Sequence, residues 1–149
     1  MYYSIYRIHT DKGTYVGQTC NLLNRMAEHY GCKHEKRRYQ VMLVRAIRAT
    51  PDERLKIEEL GYYKISDKKQ IYKIEKYWIS KCKSKLNIVH RGFPEHCCPL
   101  EKSLRIERST PIPSLCLDMK HQYDIMRLCN KFKNLHIEES HSMEITIYL

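Results

Sequence analysis

Apolar and polar positions change period several times along this chain, and the changes mark out its elements. Tyr2 to His9 is rich in aromatic and branched residues, Thr10-Asp11-Lys12-Gly13 is a turn cluster, and Thr14 to Gln18 is strand-like again. This predicts a β-hairpin. A two- or four-residue loop gives cross-strand partners whose numbers sum to an odd value, which places Tyr6, Tyr15 and Gly17 on one face. A three-residue loop would separate the tyrosines. The four-residue loop is the expectation.

The period then lengthens. Leu22, Leu23, Met26, Ala27 and Tyr30 share an apolar arc at ~100° per residue, which predicts a helix from about Asn21 to Tyr30 with Thr19 as N-cap. Arg25 and His29, four apart, fall together at the edge of that arc. A second helix, about Arg37 to Ala49, carries Val41, Val44 and Ile47 together with Arg37, Arg38, Arg45 and Arg48, whose charges can face phosphates. Thr50-Pro51-Asp52-Glu53 has the form of a capping box, yet Leu55 and Ile57 alternate and Tyr62-Tyr63-Lys64-Ile65 follows Gly61 as a strand would. Residues 54–65 therefore read as a bulged or interrupted third strand. Asp67 caps a helix to about Cys82, with Ile71, Ile74, Trp78, Ile79 and Cys82 on one face, and Leu86-Asn87-Ile88 closes the segment.

Beyond this point the texture changes. Pro94, Pro99, Pro111 and Pro113 interrupt the chain, residues 117–133 suit a helix, and Met143, Ile145, Ile147 and Leu149 alternate like a short final strand. The fold class expected is α+β: a small three-stranded antiparallel sheet flanked by helices over residues 1–92, with a short C-terminal extension over residues 93–149.

Composition narrows the function. A chain of 149 residues supports one domain with a real core. Its net charge of +10 favours a polyanionic partner such as nucleic acid over a neutral small molecule. Residues 1–90 hold 19 Lys and Arg against 9 Asp and Glu, whereas residues 91–149 hold 8 against 8, so the whole excess lies in the first part. The start of the chain lacks the pattern of a signal peptide and no apolar run reaches membrane-spanning length, so an intracellular, soluble protein with no membrane partner is expected. Seven cysteines, an odd number, fit free thiols better than a disulfide framework. His96-Cys97-Cys98, Cys116, His121 and Cys129 lack the spacing of a zinc site. Abundant Lys, Ile and Tyr with few Ala suit an AT-rich genome such as that of a virus or phage.

Glu75 is the main physical anomaly, because it falls in the middle of the apolar arc formed by Ile71, Ile74, Trp78 and Cys82. An ionised carboxylate there is costly unless it is paired or bound to a cation. A basic side chain, water reached at the helix edge, or a metal ion satisfies that demand. Glu58-Glu59 is a second carboxylate pair, but neighbours on a strand point to opposite faces and do not share a metal.

Ser4-Ile5-Tyr6, Tyr15-Val16-Gly17, Arg25, His29 and Glu75 together resemble the GIY-YIG nucleases over about the first ninety residues. The resemblance implies a metal-dependent endonuclease that hydrolyses DNA phosphodiester bonds by water attack at a single site. Glu75 matches the family's metal ligand, for Mg2+ or Mn2+; Arg25 would stabilise the charge of the transition state. Tyr6, Tyr15 and His29 would orient and deprotonate the nucleophile, with Gly17 and Asn87 in support. The partner implied is double-stranded or structured DNA. The sequence departs from the family at Ser4, where its name expects glycine. That departure is the feature favouring an alternative, a catalytically weak nucleic-acid-binding module that keeps the nuclease fold.

Overall fold

The computed structural model describes residues 1–34, 41–87, 97–109, 112 and 118–142, with side chains as far as 134. Strands β1 (Tyr2–Thr10) and β2 (Gly13–Thr19) form the hairpin, with Tyr6 opposite Gly17 and Ile8 opposite Tyr15. The odd-sum register holds, but the loop is the two residues Asp11 and Lys12 rather than four. Two local features allow the shorter turn. Gly13 takes a φ of +135°, open to glycine, and the Thr10 hydroxyl donates to the Gly13 carbonyl at 2.8 Å while accepting from the Lys12 amide at 3.2 Å.

Strand β3 (Lys56–Lys64) runs antiparallel to β1 on its other side, and the register shifts between Ile5, opposite Gly61, and Tyr6, opposite Glu59. Leu60 is the extra residue, so the interruption foreseen in this strand is a β-bulge. A fourth strand, β4 (Arg105–Ile106), pairs with β3 and gives the order β2-β1-β3-β4. The expected sheet had three strands. A two-residue strand is too short for alternation to reveal it.

Helix α1 spans Leu22–Gly31. Its N-cap is Asn21, whose side chain accepts from the Asn24 amide at 3.1 Å; the Thr19 hydroxyl is instead engaged with the Asn21 backbone. Helix α2 spans Val41–Ala49, and the predicted positions Arg37 and Arg38 lie outside the described residues. Thr50 closes this helix, donating to the Ala46 carbonyl at 2.7 Å and accepting from the Asp11 amide at 2.9 Å. Helix α3 spans Lys68–Lys81 behind a capping box made by Asp67 and Gln70. Helices α4 (Pro99–Ser103) and α5 (Met119–Ser142) follow, the latter longer than the stretch read from periodicity. The strand expected over 143–149 falls outside the described residues, as do Ile88, Pro94, His96, Pro111, Pro113 and Cys116.

The sheet buries both faces. Tyr6, Ile8 and Ile57 on one face pack with Met26, Ala27 and Tyr30 of α1, Leu43 and Ile47 of α2, and Met119 and Tyr123 of α5. Tyr3, Ile5, Val16 and Tyr63 on the other meet Ile71, Ile74 and Ile79 of α3. The segment from residue 93, read from the sequence as an extension, thus supplies a strand to the sheet, buried Met119 and Tyr123 to one core, and Cys98, Leu100 and Leu104 packed against the other. Leu23 and Val41 stay 37% and 46% exposed, because the apolar arcs of α1 and α2 are wider than the faces they bury.

Candidate active site

Strand alternation and the hairpin register bring Tyr6, Tyr15 and Gly17 to one face. Gly17 has to be glycine there: a Cβ on it would lie 2.4 Å from the Tyr6 hydroxyl and 2.9 Å from Tyr15 Cε1. The missing side chain makes room for the Tyr6 ring to lie across β2. One turn past the helix position of Arg25, His29 turns inward from α1, and its Nε2 lies 2.8 Å from the Tyr6 hydroxyl. The rings of Tyr6, Tyr15 and His29 form a triangle with centroids 5.7 to 6.4 Å apart. Tyr6 is 2% exposed, and burial, then the neighbouring Tyr15, push its phenol well above the usual value of 10. Arg25 pulls in the opposite direction but does not prevail.

Arg25 reaches the same cleft from α1, where its guanidinium pairs with Glu28 one turn on, at 2.8 Å. Glu75 enters from α3. Burial pushes its carboxyl up to about 7, and among the described residues no hydrogen bond or ion pair involves it. The cleft has a volume of about 170 Å3 and is lined by Tyr6, Tyr15, Arg25, His29 and Glu75, all expected from the sequence. Gln18, Glu28, Cys32, Leu43 and Val44 complete the lining and were not foreseen. Glu28 carried a signal, being three residues after Arg25 on the same helix; Val44 read only as an apolar helix position.

The GIY-YIG catalytic domain family matches residues 2–87. The chain belongs to the GIY-YIG family. No curated protein and no solved structure matches it. Membership places it among nucleases, and no helix among the described residues is long and apolar enough to cross a membrane.

Two positions singled out in the sequence, Asn87 and Ser4, sit beside the cleft rather than in it. Asn87 lies against the outer edge of β2, accepting from the Val16 amide at 2.9 Å and donating to the Val16 carbonyl at 2.7 Å. It replaces the strand partner that an edge lacks, next to both Tyr15 and Gly17. Ser4, where a GIY-YIG glycine is expected, is 2% exposed and does not line the cleft. Its hydroxyl donates to Glu59 and accepts from Arg108 Nη2 at 2.9 Å, while Arg108 forks onto both Glu59 oxygens. The serine therefore ties β1 to the residues that follow β4. Glu58 points the other way, to Arg7 and His9, as strand alternation requires.

The donor set bears on which metal a GIY-YIG site of this kind can take. Among the described residues no three His, Cys, Asp or Glu side chains converge to hold an ion, and the described members of the cysteine and histidine set (Cys97, Cys98, His121, Cys129) make no cluster. One unpaired carboxylate in a small polar cleft suits Mg2+, which keeps most of its waters and takes one or two protein ligands. A tetrahedral zinc site needs more.

Proposed function

We propose that this chain is a metal-dependent endonuclease that hydrolyses DNA phosphodiester bonds by water attack, with Tyr6, Tyr15, Arg25, His29 and Glu75 as its working groups. The observation that carries the reading is the convergence, in one cleft, of an unpaired carboxylate, a guanidinium and a Tyr–His hydrogen bond. Mg2+ or Mn2+ held by Glu75 would neutralise charge on the scissile phosphate and polarise it for attack. Arg25 binds a non-bridging phosphate oxygen and meets the charge that grows there as the phosphorus becomes pentacoordinate. Arg25 lines the cleft beside Glu28, with which it pairs at 2.8 Å.

Tyr6 works as a neutral phenol, since its burial disfavours phenolate. It orients the nucleophilic water, and as the water's proton reaches the Tyr6 oxygen the Tyr6 proton moves to His29 Nε2, so that no buried anion forms. Tyr15 closes the triangle and holds the substrate side of that arrangement. Asn87 and Gly17 keep β2 in the shape that permits it. The basic excess of residues 1–90 supplies the general attraction to the DNA backbone.

Nicking of supercoiled plasmid tests this. Wild type is expected to nick with Mg2+ or Mn2+ and not with a chelator, and Glu75→Ala to lose nicking at matched DNA affinity. A folded, DNA-bound wild type that never nicks in either metal would leave a nucleic-acid-binding module as the better account.

A further inference from the structure

Helix α3 carries Glu75, and its apolar stripe sets which face meets the sheet without fixing the rotation closely. Ile71, Ile74 and Ile79 bury against the sheet, and such contact is non-directional. Among the described residues, two side-chain hydrogen bonds tie this helix to strands: at its C-cap Arg7 Nη1 donates to Cys82 Sγ at 3.6 Å, and on the turn next to Glu75 the Trp78 indole N–H donates to the Tyr63 hydroxyl at 2.9 Å. Trp78 stands three residues past Glu75, on the neighbouring turn.

The Tyr63 hydroxyl is the hub of a larger group. It donates to Glu101 Oε1 at 3.1 Å and also accepts from Arg105 Nη2 at 3.2 Å. With Trp78 this uses the one donor and both acceptor positions of a phenol. Arg105 in turn pairs with Glu101, donates to the Leu60 carbonyl at 3.2 Å, and lays its guanidinium 5.5 Å from the Tyr63 ring centre and 5.7 Å from that of Trp78. Tyr63 itself is fully buried. Glu101 and Arg105 lie on α4 and β4, beyond the part of the chain that matches the family.

We propose that Glu101 and Arg105 are positioning residues, which act through the Tyr63 hydroxyl and the Trp78 ring to fix the rotation of α3 and so the point at which Glu75 enters the cleft. The inference rests on the reading of Glu75 as the metal-holding group. The C-terminal part of the chain then has a task in the reaction without touching DNA or metal. A shift of about 1 Å in a reacting group is enough to cost about 100-fold in rate.

The test uses the full chain with Tyr63→Phe, which keeps the ring and its packing, and with Arg105→Ala and Arg105→Lys. The first two are expected to lower kcat for plasmid nicking about 10-fold or more, with KM for DNA unchanged and a higher Mg2+ concentration for half-maximal rate. Arg105→Lys, which keeps the charge beside Glu101, should recover part of the loss. A readout without turnover accompanies these: Mn2+ titrated into DNA-free protein, followed by the resonance of free Mn2+, should half-saturate at a higher concentration in Tyr63→Phe. Trp78 is the single tryptophan, so its emission reports whether the network has opened. Variants with shifted Trp78 emission but wild-type kcat and Mn2+ half-saturation overturn the positioning role. A wild type that neither binds Mn2+ nor nicks overturns the reading of Glu75, and the positioning role with it. A wild type that binds Mn2+ without nicking removes the nuclease reading alone, and the Mn2+ titration then decides.

Discussion

The Tyr6 hydroxyl hydrogen-bonds His29 Nε2 at 2.8 Å across the gap between the first strand and the first helix, inside the core rather than at its surface. A proton held there has a short route to move along. Tyr6→Phe leaves the ring in place and removes that route, so the rate of single-turnover nicking should fall about 100-fold or more while DNA affinity holds. A loss under threefold would mean that Tyr15 alone serves the nucleophile.

Gly17→Ala should damage the site from the opposite strand. The new methyl would overlap the Tyr6 hydroxyl, and Tyr6 is too closely enclosed to swing aside while keeping His29. Activity is expected to drop about 100-fold, with a stability loss of about 1–3 kcal/mol for overpacking. Chemical denaturation beside nicking assays separates the two effects. Full activity in the variant would show that the Tyr6 position is not critical.

Glu75 gives a pH dependence with a definite sign. Its carboxyl rises from 4.5 to about 7 on folding, so between those values the unfolded chain has lost a proton that the folded chain retains. Stability therefore falls as pH rises from 4.5 to about 7, and is level above. Glu75→Gln removes the effect: compared with wild type it should gain stability across that window, by on the order of 3 kcal/mol at most. Added Mg2+ should raise the melting temperature of wild type increasingly as pH climbs past 7 and leave the Gln variant unmoved. Parallel melting curves for the two proteins across that range would count against a buried, unpaired Glu75.

Ser4→Gly restores the residue that the family name expects, yet it should not improve the enzyme. The hydroxyl it removes is shared by Glu59 and Arg108, and leaving that partly buried pair short of a partner costs about 1–3 kcal/mol. Lower stability with unchanged kcat is the expected outcome. A rise in kcat would mean that Ser4 restrains the site after all.

What could be read from the sequence divides along a physical line. Period pointed to α1, α3 and the hairpin face, and Asp67 to the start of α3, because these depend on neighbours in the chain, such as Tyr6 with its alternation partners. Glu75 stood out because an apolar arc has no use for a carboxylate. Details that one or two atoms decide were not legible, such as Asn21 displacing Thr19 as N-cap or Gly13 shortening the turn. Long-range pairings were hidden most fully. Nothing near Tyr63 in the sequence announces Glu101 and Arg105, and Ser4 read as a tolerated departure from the family with no sign of its partner Arg108.

The docking of Tyr123 against Tyr30, with ring centres 5.4 Å apart, has a consequence for how the protein is made. Every side chain expected to line the working cleft has been synthesised by residue 75, but the core under α1 lacks Met119 and Tyr123 until more than forty further residues have followed. A growing chain thus holds the complete set of reactive residues before it can hold them in place. The order of synthesis therefore separates the appearance of these side chains from the completion of the packing that backs them.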